Sequence, residues 1–337
     1  MTIILDDSLS REQLYPFTAT RHVADIRIGI LTIREKWALL LGDERQISLA
    51  VQANLIPTTD NVSAILASLT NDEVLKNDDK IKRINYPWDV FLLNDWAIRK
   101  DFELITNGRK SQPLSGTNKT ISPENIFVEQ GAKAEYSSIN ASTGPVYIGS
   151  NAEIMEGCMI RGPFCLGEGA TLKMGSKIYG ATTIGPYCVA GGEIKNTVMF
   201  ANSNKAHDGY LGDSVIGEWC NLGGGTTTSN IKNTAGQVRV WNNKSKAYEQ
   251  IGLKCGLLMG DYSRAAINTS FNTGTVVGVC CNIFEDSFPP KLVNDFTWGK
   301  ERYIFDKALQ DITNWKNLKG VDISETEKKI LKDLYNQ

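Results

Sequence analysis

The stretch 148-IGSNAEIMEGCMIRGPFCLGEGATLKMGSKIYGATTIGPYCVA-190 repeats with a period of six. Stepping by six from Ile148 meets Ile154, Ile160, Leu166, Leu172, Ile178 and Ile184, then the small Ala190. A helix would place apolar residues every three or four positions, and a half-buried strand every second one. A period of six belongs instead to a chain wound into coils with three six-residue faces. Each face sends one aliphatic side chain inward, where it stacks on its counterpart in the next coil, so the interior is a narrow column built coil by coil. Glycines follow several inward positions (Gly149, Gly167, Gly185), and Asn151 and Gly169 suit corners that need positive φ. The stretch predicts a parallel β-helix of hexapeptide repeats.

Outward from this stretch, the phase is lost between about 191 and 209. It returns as Leu211, Ile216, Leu222 and Thr228, with one five-residue step. It is lost again from Ile231 to about Ile251, then resumes as Leu253, Met259, Ala265, Phe271, Val277 and Ile283. Both interruptions are expected to be loops extruded from the column, and such excursions often carry function. After Asp286 the pattern stops. The segments 302-RYIFDKALQDITNWKNLKG-320 and 323-ISETEKKILKDLYNQ-337 read as two helices, the second opened by a Ser324–Glu327 capping box. Residues 1 to about 110 mix short strands (2-TIIL-5, 48-SLAVQA-53) with helical periodicity over 61–76. The predicted organisation is a small α/β domain over 1–120, a β-helix over 121–290 and a helical tail over 291–337 that caps the column or serves oligomer contacts.

Composition narrows the functional classes. A formal net charge of -2 with scattered cations leaves no electrostatic footprint for nucleic acid or an anionic membrane, and neither partner is expected. MTIILDDSLSREQ lacks the basic start and apolar core of a signal peptide, and no window approaches about 18 uninterrupted apolar residues. A cytoplasmic location is expected. The seven cysteines are odd in number and contain no CxxC, so they are expected to be free, small, buried hydrophobes.

One of only two histidines lies in 203-SNKAHDGYLGDSVIGEWCNLGGGTTTSN-230, where the first interruption rejoins the repeat. This run resembles the HxxYxGDxxIGxxxNxGxGTxxxN signature of the acetyltransferase domain in bifunctional N-acetylglucosamine-1-phosphate uridyltransferases/glucosamine-1-phosphate acetyltransferases. Together with 21-RHVADIRIGILTIREKW-37, 87-PWDVF-91, 175-GSKIYGATTIGP-186 and 269-TSFNTGTVVGV-279, the chain also resembles bacterial sugar nucleotidyltransferase proteins that join a short amino-terminal domain to a left-handed β-helix. The resemblance implies His207 as general base on a sugar amine. A neutral imidazole suits that task near neutral pH. It also implies Lys195 on the substrate phosphate, with Lys177 at the position of the family's partnering arginine, and Tyr210, Asn221 and Asn230 as hydrogen-bonding groups. Each asparagine has a plainer reading as a corner turn or ladder residue. The pattern departs at Ile231, where the family has tyrosine. Acetyl-CoA is the implied co-substrate, lying along the 260–285 coils, and a homotrimer with sites between subunits is expected of the class.

The amino terminus is less typical. Sugar-phosphate nucleotidyltransferases open with a strand and a glycine-rich loop that cradles phosphates. Here ILDDSLSREQLYPFTATR offers Arg11, Pro16 and Arg21 but no glycine before Gly29. Asp6 and Asp7 could hold Mg²⁺, and Arg11, Arg21 and Asp25 a nucleotide. The alternative is an ion-pair network, with Arg27, that fixes the turn; His22 reads as structural. The domain has about half the residues such a fold normally needs. The leading expectation is acyl transfer from acetyl-CoA to an amino-sugar 1-phosphate, joined to sugar-1-phosphate nucleotidyl transfer. The alternatives are nucleotidyl transfer alone on a trimerising β-helix, or a non-catalytic protein that binds nucleotide sugars.

Overall fold

The computed structural model describes residues 3–42, 49–68, 80–284 and 287–337. From Lys119 onward the chain winds as a parallel solenoid with three faces. The first face runs through Ser138–Asn140, Met159–Arg161, Lys177–Tyr179 and the start of Glu193–Met199. The second runs through Val146–Ile148, Phe164–Leu166 and Thr182–Ile184, and the third through Glu153–Ile154, Thr171–Leu172 and Val189–Ala190. The inward column is the one the period predicts. Ile148, Ile154, Ile160, Leu166, Leu172, Ile178, Ile184 and Ala190 belong to one continuous buried cluster that continues through Leu211, Ile216 and Leu222.

The two interruptions differ in kind. Residues 191–209 are not extruded: Glu193–Met199 pairs in parallel with the coils on both sides. The coil is simply short. Glu153, Thr171 and Val189 lie eighteen residues apart on the third face, whereas Asn204 follows Val189 by fifteen. The hexapeptide register slips there while the ladder continues. The second interruption is extruded, as an antiparallel hairpin of Val238–Asn242 with Ala247–Gly252, inserted between Thr227–Thr228 on the first face and Leu257–Met259 on the second. Leu253, expected inward, ends this hairpin and is exposed, because the returning coil re-enters at Leu257.

The amino-terminal residues do not close a core of their own. They comprise the parallel pair Ile3–Asp6 with Leu49–Gln52 and helices α1 (Ile33–Leu41), α2 (Val62–Ser68), α3 (Asp89–Leu92) and α4 (Asn94–Thr106). The helical reading of 61–76 is met by α2; residues 69–76 lie outside the described residues. Phe17, Ile28, Trp37, Val90 and Phe91 pack in one cluster with Val198, Val215, Leu258 and Val276, the outward column of the second face, and with Val238 and Val240 of the hairpin. Gly29 makes the junction possible. Its φ is +75°, and a Cβ there would lie 2.4 Å from Asp101 Oδ2 and 2.8 Å from the Ala97 backbone. Beside it the fully buried Lys36 ammonium donates to both oxygens of Asp101, which also accepts from the amides of Ile30 (2.7 Å) and Leu31 (3.1 Å).

The tail forms α5 (Phe305–Asn317) and α6 (Glu325–Tyr335), the latter with the Ser324–Glu327 capping box. Both pack with Trp219, Tyr262 and Phe296 at one edge of the solenoid. All seven cysteines are free and buried. Burial pushes the thiols of Cys165, Cys188 and Cys281 up to about 12, so they are packing groups and not thiolates.

Candidate functional site

His207 stands at the corner between the third and first faces, two residues past Asn204–Lys205 and three before Tyr210. The corner is stacked between glycine corners of neighbouring coils. A Cβ on Gly192 would meet the His207 carbonyl at 2.9 Å, and the amide of Gly225 donates to the Asp208 carbonyl at 3.1 Å. Gly209, at φ +123°, passes so close to the Thr226 carbonyl that a side chain there would collide. The backbone of 207–209 is thus fixed by close contact, while the His207 imidazole is exposed.

Beneath that corner lies a residue the sequence reading missed. Lys205 is six before Leu211 and occupies an inward position of the column, in register with Ala190, whose small side chain leaves it room. It is 1% exposed, and its Nζ donates to the carbonyls of Gly191 (3.2 Å) and His207. Burial holds its ammonium down to about 8, against which Asp208 acts weakly. The signal was present: in the step-of-six count the position between Met199 and Leu211 is a lysine.

The first face beside His207 carries most of the remaining candidates. Register places Lys177 opposite Glu193, Glu193 opposite Tyr210, and Tyr179 opposite Lys195. Among the described residues Lys195 makes no ion pair; its ammonium lies 5.8 Å from the centre of the Tyr179 ring. Tyr179 donates to Glu193, and that bond, with burial, pushes the phenol up to about 12. Tyr210 and Asn230 are joined: Asn230 Nδ2 donates to the Tyr210 hydroxyl at 3.0 Å and to Asp213. Asp213 takes a second bond from Asn196 (2.7 Å), which makes this buried aspartate the hub of the corner. Asn230 therefore sits in a side-chain ladder. Asn221 is not in this group. It lies on the third face, in register with Asn204 and Arg264, so His207 separates it from Tyr210 and Lys195.

The amino-terminal charges do not converge. Asp7 pairs with Arg11 (2.8 Å) and accepts from the Val23 amide, with His22 Nε2 at 3.6 Å. Asp6 accepts the Ser8 amide, which holds its carboxyl below the usual range. Asp25 is held by Arg34, and Arg27 by the Ile30 carbonyl and Glu35. Arg21 pairs with Glu218 (2.9 Å) and Asp261 of the solenoid and lies over Phe200, so it bolts the amino-terminal turn to the coils. Among the described residues no group of three acidic, histidine or cysteine side chains is placed to hold a metal ion; Asp6 is engaged by the Ser8 amide, and Asp7 by Arg11 and the Val23 amide. Arg11 does line a cleft of about 960 Å³ with Lys300 and Arg302, mixed with Glu12, Asp295 and Glu301. No helix among the described residues is long and apolar enough to cross a membrane.

Residues 2–63 and 53–110 match the sugar nucleotidyl transferase family. The bifunctional protein GlmU of Methanocaldococcus jannaschii is 36% identical over 117 residues, 34% of this chain and 28% of that protein. The bifunctional sugar-1-phosphate nucleotidylyltransferase/acetyltransferase of Sulfurisphaera tokodaii is 24% identical over 315 residues, 82% of this chain and 70% of that protein. The chain thus spans little more than a quarter of the first relative. Among solved structures, an Arabidopsis UDP-N-acetylglucosamine acyltransferase aligns with 67% of this chain and 90% of its own at 14% identity, with a TM-score of 0.26. Relatives named for both activities are the kind the sequence resemblance implies.

Proposed function

We propose that the chain is a transferase of sugar-nucleotide chemistry whose solenoid moves an acetyl group from acetyl-CoA to the amine of an amino-sugar 1-phosphate. The observation that carries this reading is the His207 corner: a backbone clamped between glycine corners presents an exposed imidazole, and it leads into the first face, where Lys195 makes no ion pair among the described residues. The amine nitrogen attacks the thioester carbonyl, His207 takes the amine proton, and as the C–S bond breaks the imidazolium returns that proton to the departing sulfur, so that coenzyme A leaves as its thiol and His207 is again neutral. Lys195, aided by Lys177, holds the sugar phosphate as a point charge. Tyr210, pre-set by Asn230, faces the sugar, and Asn221 approaches from the other side of the corner.

Amino-terminal residues cover the second face, so a second copy has the first face and the earlier coils of the third to meet. His207 lies where those two join, which supports a homotrimer with sites between subunits. The test is coenzyme A release with acetyl-CoA and a panel of amino-sugar 1-phosphates. Wild type should turn over, and His207→Ala should fall by about 10²–10⁴-fold, the range of a lost general base. Equal rates in both proteins would remove His207 from the reaction. The Arg11 cleft supports nucleotide-sugar binding or a reduced nucleotidyl-transfer activity for the amino-terminal part.

A further inference from the structure

The extruded hairpin builds a second site, away from the His207 corner. It forms one wall of a cleft of about 800 Å³. Three cations converge on it from separate segments: Lys232 from the approach to the hairpin, Arg239 from its first strand and Lys291 from the segment leading into Leu292–Val293. No carboxylate lines the cleft among the described residues, and none of the three cations makes an ion pair there. Elsewhere Arg21, Arg34, Lys36, Arg99, Arg109 and Lys316 each have an acidic partner. The Lys291 ammonium is held below its usual range by burial first, then by repulsion from Lys232 and Arg239. Three mutually repelling charges in one concavity are a standing cost that an anion would relieve.

The cleft offers more than charge. Tyr248 and Phe288, 41% and 59% exposed, present apolar faces at its edge, and Asn272 and Thr273 supply amide and hydroxyl groups. We propose that this cleft binds a nucleoside diphosphate group, its phosphates on Lys232, Arg239 and Lys291 and its base against Tyr248 or Phe288. Two ligands of this chemistry are in question, coenzyme A through its adenosine diphosphate end and a nucleotide sugar through its pyrophosphate. The inference does not rest on acyl transfer at His207: nucleotide binding with no coenzyme A release would sink that reading alone.

Trp241 lies 5.4 Å from Tyr248, so ligand entry should change its fluorescence. The full-length protein would be titrated with ADP, UDP, coenzyme A, a UDP-sugar and inorganic pyrophosphate at two salt concentrations, with melting temperatures recorded. Saturable binding of ADP or UDP is expected, weakened by salt and about tenfold or more by each of Lys232→Gln, Arg239→Gln and Lys291→Gln, because a charged hydrogen-bond partner is lost. The three variants should melt at or above the wild-type temperature, since each removes repulsion. Tighter binding of coenzyme A than of the UDP-sugar names the acyl donor as the source, and the reverse names the nucleotide sugar. Pyrophosphate binding as tightly as ADP, with Tyr248→Ala and Phe288→Ala without effect, would overturn the nucleoside assignment. Absence of nucleotide binding up to millimolar concentration, or binding unmoved by the charge variants, would overturn the site.

Discussion

Lys205 takes an interior position that the repeat otherwise gives to aliphatic side chains, and a buried cation there is costly unless it serves something. What it serves is the carbonyl of His207, to which its ammonium donates directly. It is a positioning residue, two bonds of backbone away from the imidazole that the proposed reaction uses. Its value near 8 in the folded chain lies below the ordinary 10.5, so between those values the unfolded chain binds the proton more tightly. Folding stability from this residue therefore rises with pH through that window and is flat below it. Lys205→Met keeps the stem and removes the charge. The stability of that variant relative to wild type should be constant below pH 8 and should fall from pH 8 to 10.5, as read by chemical denaturation at each pH. A relative stability that stays flat across the window would show that the ammonium is not desolvated. The kinetic readout is separate: the variant should lower kcat of coenzyme A release more than it raises KM, because the carbonyl it frees belongs to the base and not to the substrate's contacts.

At the scale of elements, the join between α1, α4 and the second face depends on the Lys36–Asp101 pair and on Gly29. Asp101 satisfies two backbone amides in addition to Lys36, while Asn94 receives the Gly29 amide (2.8 Å) and donates to the Ala181 carbonyl of the solenoid (2.9 Å). Breaking a buried pair from one side leaves an uncompensated charge, at a cost of about 3–5 kcal/mol. Asp101→Asn should lose about that much in urea unfolding, whereas Lys36→Met with Asp101→Asn together should recover a large part of it. Equal losses in the single and double variants would mean that the amide bonds, and not the pair, carry the join. Little of this was readable in the chain. The inward column was legible because one position in six repeats the same requirement, so Ile148 to Ile184 testify for one another. Lys36 and Asp101 make their requirement once, 65 residues apart. The charges around Asp6 and Arg21 looked like one cluster because they are close in sequence; Asp7 and Arg11 do pair, but Arg21 turns to Glu218 and Asp261 and Asp25 to Arg34. The loss of phase over 191–209 looked like a loop because a shortened coil and an extruded one both break a period. Only strand pairing distinguishes them.

At the scale of the whole molecule, the outward column of the second face decides how the chain behaves. Thr183, Val198, Val215, Leu258 and Val276 are in register and fully buried, each facing away from the solenoid's interior. A solenoid strand with one solvated side would alternate, and these strands do not, because amino-terminal residues cover them. Phe17 against Phe200, with ring centres 5.3 Å apart, and Arg21 against Glu218 and Asp261 continue the same contact. Apolar area of this kind is worth roughly 25 cal/mol per Å² and is exposed only if the two parts separate. They should therefore unfold together, although long solenoids otherwise lose cooperativity along their length. With Trp219, Trp241, Trp298 and Trp315 changed to phenylalanine, the remaining Trp37, Trp88 and Trp96 report on the amino-terminal part, while the far-ultraviolet circular dichroism of the coils reports on the solenoid. The two signals should trace coincident thermal transitions, and Val198→Asp with Leu258→Asp should split them, the tryptophan transition moving to lower temperature first. Two separate transitions already present without the aspartates would mean that the second face is not what holds the amino-terminal part in place.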